Sequence, residues 1–291
     1  MESMQKINVS KCSNVAEAIQ AAGLDWQSEQ RDIFLDNGTK ILGRKAIVRS
    51  DNGQPLGIVS DKYAPISNSD TFAFFDNLIA TGVIELDSAG YVGSGRNVFL
   101  QGKVVNGTFE TSSGDTTDLF IMAWNSHDGS SALKFFVSAM RFVCKNMFRL
   151  LQSDASTFIR ATHTVNSVER WKVDINATLD ILRTVQDDYV SSVRQLQKKT
   201  MGLFAFKDFA KVLVNNNEKK IAQLASNFYN GLGAEYTRFT AWGALNAVTE
   251  FTTHEQTVRA PEKDTARFFS SIAGAGNDLN TKAYNMLLSA G

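Results

Sequence analysis

The sequence predicts an α+β protein, with a mainly antiparallel sheet in its N-terminal half and a helical C-terminal half. Asn-Gly pairs at Asn37 and Asn52 lie between short apolar segments, a pattern typical of β-hairpin turns. Apolar and polar residues then alternate between 96 and 105, as they do along a half-buried strand. From Ile175 onward, apolar residues recur at steps of four and three, which indicates helix. We therefore expect a sheet first and helices after it.

The N-terminal half is predicted to contain strands, hairpins and short helices. The apolar residues of 14–23 share one helical face, and Gly23 stops the helix. A capping side chain at Asn68 or Ser69 opens a second amphipathic helix that Gly82 ends. The predicted elements are a helix over 14–23, a hairpin of 44–50 with 56–60, a helix from Asn68 or Ser69 to Gly82, strands over 83–92, 96–105, 118–125 and 132–139, and a helix over 140–152.

The C-terminal half is predicted to begin with one long helix of about 35 residues. Its apolar seam repeats every seven residues and has one polar member, Gln186. Shorter helices follow, separated by Asn-rich and Gly-rich turns. We expect an α+β sheet domain with a basic helix over 1–160 and a packed helical region over 161–291. The seam residues are Ile175, Leu179, Leu182, Gln186, Tyr189, Val193 and Leu196, and the later helices are expected at 204–215, 217–231, 237–255, 262–272 and 278–289.

Composition excludes several classes of protein. The 291 residues include 30 basic and 30 acidic side chains, so the chain is not generally polybasic. Its two cysteines form neither a disulfide framework nor a zinc-ligand spacing, which predicts a reducing cytoplasmic setting. The sequence contains no apolar run long enough to cross a membrane.

Two glycine-containing segments superficially resemble nucleotide-binding loops. Residues 38–45 have the start of a P-loop, but Arg44 and Lys45 stand where a lysine followed by serine or threonine is required. The three glycines of 90–97 lie between two predicted strands, with no helix after them, and indicate a tight β-turn. We therefore expect no nucleotide cofactor.

The turn SHDGSS at 126–131 carries the residue types of a catalytic site. A hydrolase or transferase with Cys144 as nucleophile, His163 as base and Asp128 as orienting carboxylate has the required chemistry. His127, Asp128 and His163 are also candidate metal ligands, but no pair has helical i, i+4 spacing, and we expect no metal. The simplest interpretation is a polar turn whose Asp and Ser side chains cap the backbone.

The charge distribution favours nucleic acid. From Lys134 to Lys172 there are seven basic and two acidic residues, a local charge of 7 − 2 = +5, and a second segment over 194–220 also carries +5. By contrast, 63–92 contains four acids and no lysine or arginine, so opposed charges also suit head-to-tail assembly of identical subunits. Cations interleaved with aromatic rings are what sequence-tolerant single-strand binding requires. The predicted phosphate contacts are Lys134, Arg141, Lys145, Arg149 and Arg160, and the predicted stacking residues are Trp124 and Phe148.

Several strings occur in an order that resembles a known family. They are GLDW at 23–26, VSDKYAPISNSDTFAFFDNL at 59–78, WNSHDGSSALKF at 124–135, MRFVCKNMF at 140–148, ATHTVNSVERW at 161–171 and WGALNAVTEFTTHE at 242–255. Together they resemble the phage- and plasmid-borne family of domain of unknown function 932, over nearly the full chain. The resemblance implies a mobile-element origin and a host-cytoplasmic setting, without a settled activity.

These observations lead to one main hypothesis and two alternatives. Strands followed by a basic helix are the core order of the single-strand annealing proteins of phages, an analogy at the level of fold. We expect a protein that binds single-stranded DNA and promotes annealing and recombination as a homo-oligomeric ring or filament, without a cofactor. The alternatives are a hydrolase or transferase that uses Cys144, His163, His127 and Asp128, and a structural or host-interaction protein that binds no nucleic acid.

Overall fold

A computed structural model of the chain describes residues 4–112, 115–141, 147–149, 159–164, 175–260 and 263–289. The chain divides into two compact units that interleave in sequence. The first comprises 1–105, 121–136 and 154–181, and the second 106–120, 137–153 and 182–291. The described residues form antiparallel sheets in the N-terminal half and helices in the C-terminal half, which confirms the α+β class.

The first unit begins with a strand and a helix, and it contains a small three-stranded sheet in the order β2-β3-β4. Asn14 caps α1 by accepting a hydrogen bond from the Glu17 amide, and its buried face carries Val15, Ala18 and Ile19. The predicted hairpin is present as β3 and β4, whose register pairs Ala46 with Ile58. The bounds are Met4–Asn8 for β1, Val15–Ala21 for α1, Ser28–Phe34 for β2, Lys40–Arg49 for β3 and Pro55–Ser60 for β4.

The helix predicted to start at Asn68 or Ser69 is present as two short helices, α2 (Asn68–Phe72) and α3 (Phe74–Ala80). The predicted cap is wrong, because Ser67 accepts the hydrogen bond from the Asp70 amide. Asn68 does not cap the helix, and its side chain is buried. Gly82 follows α3 with φ of +68°, which suits a glycine after a helix.

The larger sheet has the strand order β1-β5-β6-β7-β8-β10, with β9 also paired to β8. Antiparallel pairing joins β1 to β5, β5 to β6, and β8 to both β9 and β10. The four predicted strands are present, and β6 is longer than expected. The bounds are Ile84–Val92 for β5, Asn97–Ser112 for β6, Asp115–Ser126 for β7, Leu133–Arg141 for β8, Met147–Arg149 for β9 and Ile159–Ala161 for β10.

The prediction of a basic helix over 140–152 is wrong for the described residues of this segment, which are 140, 141 and 147–149. Met140 and Arg141 end β8, and Met147–Arg149 form β9, which pairs Arg149 with Ser138. Arg141 and Arg149 therefore do not lie on one helical face, because they belong to two different strands that are paired with each other. Residues 142–146, which include Cys144 and Lys145, lie outside the described part of the chain, as do 150–158.

Helices account for most of the described residues of the C-terminal half. Residues 165–174 lie outside the description, and the long helix is described over 24 residues. The shorter helices agree with those predicted, except that 237–255 is an α-helix followed by a π-helical turn over Phe251–Glu255. The bounds are Ile175–Lys198 for α4, Leu203–Leu213 for α5, Glu218–Asn230 for α6, Ala241–Glu250 for α7, Lys263–Ala273 for α8 and Ala275–Ser289 for α9.

Aromatic packing fills the core of the second unit. The rings of Phe206 on α5 and Phe228 on α6 stack at 4.2 Å between centroids, and both side chains are buried. On α4, Tyr189, Val193 and Leu196 of the predicted seam are buried. The sequence predicts Gln186 as the seam residue one helical turn before Tyr189, but Val185 is the buried residue there. An apolar side chain occupies the core more favourably than a carboxamide.

Candidate functional site

The turn that follows β7 is held together by its own side chains. Asp128 Oδ1 accepts hydrogen bonds from Ser126 Oγ at 2.6 Å and from the Ser130 amide at 2.9 Å. Burial opposes ionisation of Asp128, but the hydrogen bonds from Ser126 and Ser130, with the charge of Arg96, hold its pKa below the ordinary value. The interpretation of 126–131 as a polar turn with Asp and Ser caps is confirmed.

His127 lies in the core of the first unit and is fully buried. Its Nε2 is 2.9 Å from Asn68 Oδ1, while Asn68 Nδ2 donates to the Leu24 carbonyl at 2.8 Å. Because the amide nitrogen of Asn68 serves as a donor, its oxygen is the acceptor, and His127 therefore carries its proton on Nε2. The backbone amide of His127 donates to the Arg96 carbonyl, so both ends of the residue are fixed.

The environment of His127 keeps the imidazole neutral. Burial, followed by the neighbouring His163, lowers the pKa of His127 to about 3, although Asp128 acts in the opposite direction. The ring meets Trp26 edge-on, with 5.2 Å between centroids. His127 Nδ1 and Trp26 Nε1 are both buried without a hydrogen-bond partner among the described residues.

His163 and Tyr63 connect this turn to two other parts of the first unit. The Tyr63 hydroxyl donates to the Ser126 carbonyl at 2.8 Å, and its ring stacks on His163 at 4.6 Å between centroids. The Ala64 amide donates to the His163 carbonyl at 2.9 Å. Burial lowers the pKa of His163, partly offset by the Ala64 backbone and by Asp128, while burial raises the pKa of Tyr63. We call Trp26, Tyr63, Asn68, His127, Asp128 and His163 the His127 cluster.

The loop with three glycines closes over one side of the cluster and is a turn, as predicted. Arg49 lies 4.5 Å above the Trp26 ring, forms an ion pair with Asp51, and donates to the Ser94 carbonyl. Gly95 has φ of +107°, and a Cβ there would lie 2.7 Å from the Trp26 ring. The loop therefore packs its backbone against the tryptophan.

The contacts of the His127 cluster hold segments of the first unit together. Within the described part of the chain, no hydroxyl or thiol hydrogen-bonds to either imidazole. The described residues also contain no group of three His, Cys, Asp or Glu side chains that could hold a metal ion. Cys144, the nucleophile of the enzyme alternative, lies outside the described residues. The cluster joins four segments that are distant in sequence.

The predicted DNA-binding residues that the structure describes lie on β7, β8, β9 and β10. The register places Arg160 of β10 directly opposite Lys134 of β8. Phe148 and Arg149 lie in β9, and Arg141 ends β8, but their side chains are outside the description, as is all of Lys145. Trp124 is 8% exposed, so its ring offers no face to a base and we do not retain it as a stacking residue.

Sequence reasoning missed the roles of Trp26, Tyr63 and Asn68. A signal was present, because all three residues lie in the quoted family strings. A string of sequence does not, however, show which residues a buried side chain contacts. Asparagine is common at helix N-caps, so the sequence predicts a capping role for Asn68. The tertiary structure instead uses its amide to bridge His127 and the Leu24 carbonyl.

We expect Gly57→Ala to destabilise the first unit, because a Cβ at Gly57 would lie 2.7 Å from both Cα and Cβ of Asp128. The cost of such overpacking is about 2 kcal/mol, measurable by urea denaturation. Gly202→Ala is the matched control, since its Cβ would meet no atom within 4 Å. A Gly57→Ala variant as stable as the Gly202→Ala control would show that Asp128 does not approach β4 this closely.

The fold and the cluster define a class: an α+β protein in which an antiparallel sheet precedes a set of helices and a buried histidine cluster joins separate segments. A family model described as domain of unknown function (DUF932) matches residues 55–272, more than half of the chain. The chain therefore belongs to this family. No curated protein and no solved structure matches it. Among the described residues, no helix is long and apolar enough to cross a membrane.

Proposed function

We propose that the protein binds single-stranded DNA and promotes strand annealing as a homo-oligomer, in a phage or other mobile element within a bacterial cytoplasm. The observation that carries this proposal is the register of β8 with β10, which pairs Lys134 with Arg160. This register puts two basic residues side by side on neighbouring strands. Basic residues next to each other suit the phosphate backbone of DNA, whose charge they neutralise independently of base sequence.

The order of elements supports the same proposal. Four strands, β5 to β8, precede the long helix α4 in the chain. Single-strand annealing proteins have strands followed by a basic helix, whereas α4 carries three basic and three acidic residues, so the analogy covers only the order of elements. Arg141 at the end of β8 and Arg149 in β9 remain proposed phosphate contacts, together with Lys145. Phe148 remains a proposed stacking residue.

We expect the double variant Lys134→Ala/Arg160→Ala to bind a single-stranded oligonucleotide more weakly than the wild type. Each lost phosphate contact lowers the slope of log affinity against log salt by about 0.7, so the pair lowers it by about 1.4. Fluorescence anisotropy of a labelled oligothymidylate over a salt series measures both quantities. Urea denaturation of the same variant shows whether it remains folded.

The matched control is Lys11→Ala/Lys62→Ala, which removes the same charge from two exposed positions of the first unit. This control should retain the wild-type salt slope. An unchanged slope in a folded Lys134→Ala/Arg160→Ala variant would contradict the site. A wild-type protein that assembles but has no affinity for the oligonucleotide would instead support the structural alternative.

A further inference from the structure

The second unit contains a cavity of about 460 Å³ between the start of α6 and the π-helical turn. Pockets that hold small molecules have volumes of about 300 to 1,000 Å³, so this cavity is large enough for a ligand. Its lining is mostly polar, with two lysines, one glutamate and three carboxamides. These residues are Lys219, Lys220, Glu255, Asn217, Gln223 and Gln256.

The wall formed by α6 is positively charged. Asn217 caps the helix by accepting a hydrogen bond from the Lys220 amide at 3.1 Å. The first amide groups of a helix have no acceptor within it, and the helix dipole adds partial positive charge at this end. The side chains of Lys219 and Lys220 are exposed, and neither forms an ion pair with a described residue. The folded chain therefore leaves the charge of this wall unneutralised.

The opposite wall presents a carboxylate that is fixed in place. Glu255 ends the π-helical turn, which the Gln256 amide closes by donating to the Phe251 carbonyl at 2.7 Å. Turns of this kind are rare and are frequent at functional sites. Glu255 Oε2 accepts a hydrogen bond from Nδ2 of the buried Asn227 at 2.8 Å. Gln223 Nε2 donates to Asn227 Oδ1 at 3.4 Å, so the amide that holds Glu255 is itself held.

The two walls therefore carry opposite charges that do not meet. Within the part of the chain that the structure describes, Glu255 forms no ion pair with Lys219 or Lys220, although all three line the same cavity. Its carboxylate is instead held on its own wall by Asn227. Gln256 adds a buried oxygen, Oε1, that has no hydrogen-bond partner among the described residues. The cavity thus offers cations on one side and hydrogen-bond acceptors on the other.

This arrangement matches a molecule with an anionic group at one end and hydrogen-bond donors at the other. Phosphate suits lysines at a helix N-terminus, while amine or hydroxyl hydrogens suit a carboxylate and a carboxamide oxygen. We propose that the cavity binds a small phosphorylated molecule, with its phosphate at Lys219 and Lys220 and its donor groups at Glu255 and Gln256. Nucleotides and sugar phosphates both have this chemistry. The inference concerns residues outside the proposed DNA contacts and does not depend on the proposed function.

Isothermal titration calorimetry of the full chain with deoxycytidine monophosphate and with glucose 6-phosphate tests the site. The nucleotide carries an amine on its base and the sugar phosphate carries only hydroxyls, so the pair of probes identifies the source of the donors. At least one of them should bind more tightly than deoxycytidine or inorganic phosphate, because each of those lacks half of the chemistry. A wild-type protein that binds neither phosphorylated probe would overturn the inference.

The double variant Lys219→Ala/Lys220→Ala should weaken binding of the better probe about tenfold or more, since charge-assisted hydrogen bonds to the phosphate are lost. The matched control is Lys198→Ala/Lys207→Ala, which removes the same charge from exposed positions of the second unit that do not line the cavity. The control should bind as the wild type does. Equal weakening by both double variants would assign the binding to overall charge and overturn the site.

Glu255→Gln tests the second wall, because glutamine keeps an oxygen for Asn227 and loses the charge. Binding of the better probe should weaken about tenfold, while inorganic phosphate, measured by competition, should bind as well as before or better. Glu235→Gln, at an exposed glutamate of the second unit, is the control. Loss of both affinities in Glu255→Gln would contradict the assignment of the donors to Glu255.

The Lys134→Ala/Arg160→Ala variant separates this site from the proposed function. It should bind the better probe with wild-type affinity, because neither residue lines the cavity. If it loses the probe while Lys219→Ala/Lys220→Ala retains it, the phosphorylated molecule binds at the proposed DNA contacts and this inference is wrong. A wild type that binds the probe in the cavity but has no affinity for an oligonucleotide would leave this inference standing and contradict the proposed function.

Discussion

Replacing Asn68 with alanine is expected to lower the free energy of unfolding by about 3 kcal/mol. The substitution leaves three groups without the amide that now connects them: His127 Nε2 and the carbonyls of Leu24 and Trp26. Each buried polar group that loses its partner costs about 1 to 3 kcal/mol. Urea denaturation monitored by tryptophan fluorescence measures the change, because Trp26 belongs to the cluster.

Asn77→Ala is the matched control for this prediction, since Asn77 is an exposed asparagine on α3. Surface substitutions of this kind usually change stability by less than about 0.5 kcal/mol. If Asn68→Ala proved as mild as Asn77→Ala, Asn68 would not be the residue that holds the histidine.

The second large effect is a loss of stability on mild acidification. His127 has a pKa of about 3 in the folded chain and about 6.5 when unfolded. Between these values the unfolded chain binds a proton that the folded chain does not, so falling pH favours unfolding. The contribution of His127 is constant above pH 6.5 and then declines by about 1.4 kcal/mol per pH unit. From pH 6.5 to pH 5 the loss is about 2 kcal/mol, and the lowered pKa of His163 adds to it.

His127→Gln tests the origin of this slope, because glutamine offers an amide hydrogen to Asn68 and does not titrate. We expect the variant to be less stable at neutral pH, yet its stability should change less between pH 6.5 and 5. Urea denaturation at several pH values gives both results. His254→Gln, at an exposed histidine of the second unit, is the control. A His127→Gln variant with the full wild-type slope would show that His127 is not buried as a neutral ring.

Most of the secondary structure was predictable because local rules govern it. The Asn-Gly turns, the alternation along β6 and the glycines after α1 and α3 all led to elements that the structure contains. The segment 140–152 was not predictable in this way. Its apolar and basic residues suit a helix and a strand alike, and pairing of β9 with β8 decided between them.

The candidate site could be predicted from the sequence only in part, because it too depends on contacts between distant residues. His127, Asp128 and His163 were recognisable as reactive residue types, and the turn that holds Asp128 was foreseen. That His127 would be a buried neutral donor to Asn68 depends on contacts between residues that are 59 positions apart. The positive φ of Phe239, +59°, was equally unpredictable, because the backbone there is fixed by hydrogen bonds to Met201 and by the helix cap at Thr240.

By itself the sequence determined the α+β class, the family strings and the uneven charge, since these follow from periodicity, turn chemistry and composition. Only the tertiary structure decided which polar residues are buried together. Arg141 and Arg149, which the sequence predicts on one helix, lie on the neighbouring strands β8 and β9. The family string at 124–135 contributes His127 and Asp128 to the His127 cluster. The physical reason is that periodicity reports which face of an element is apolar, whereas burial partners and backbone strain arise from contacts between elements distant in the chain.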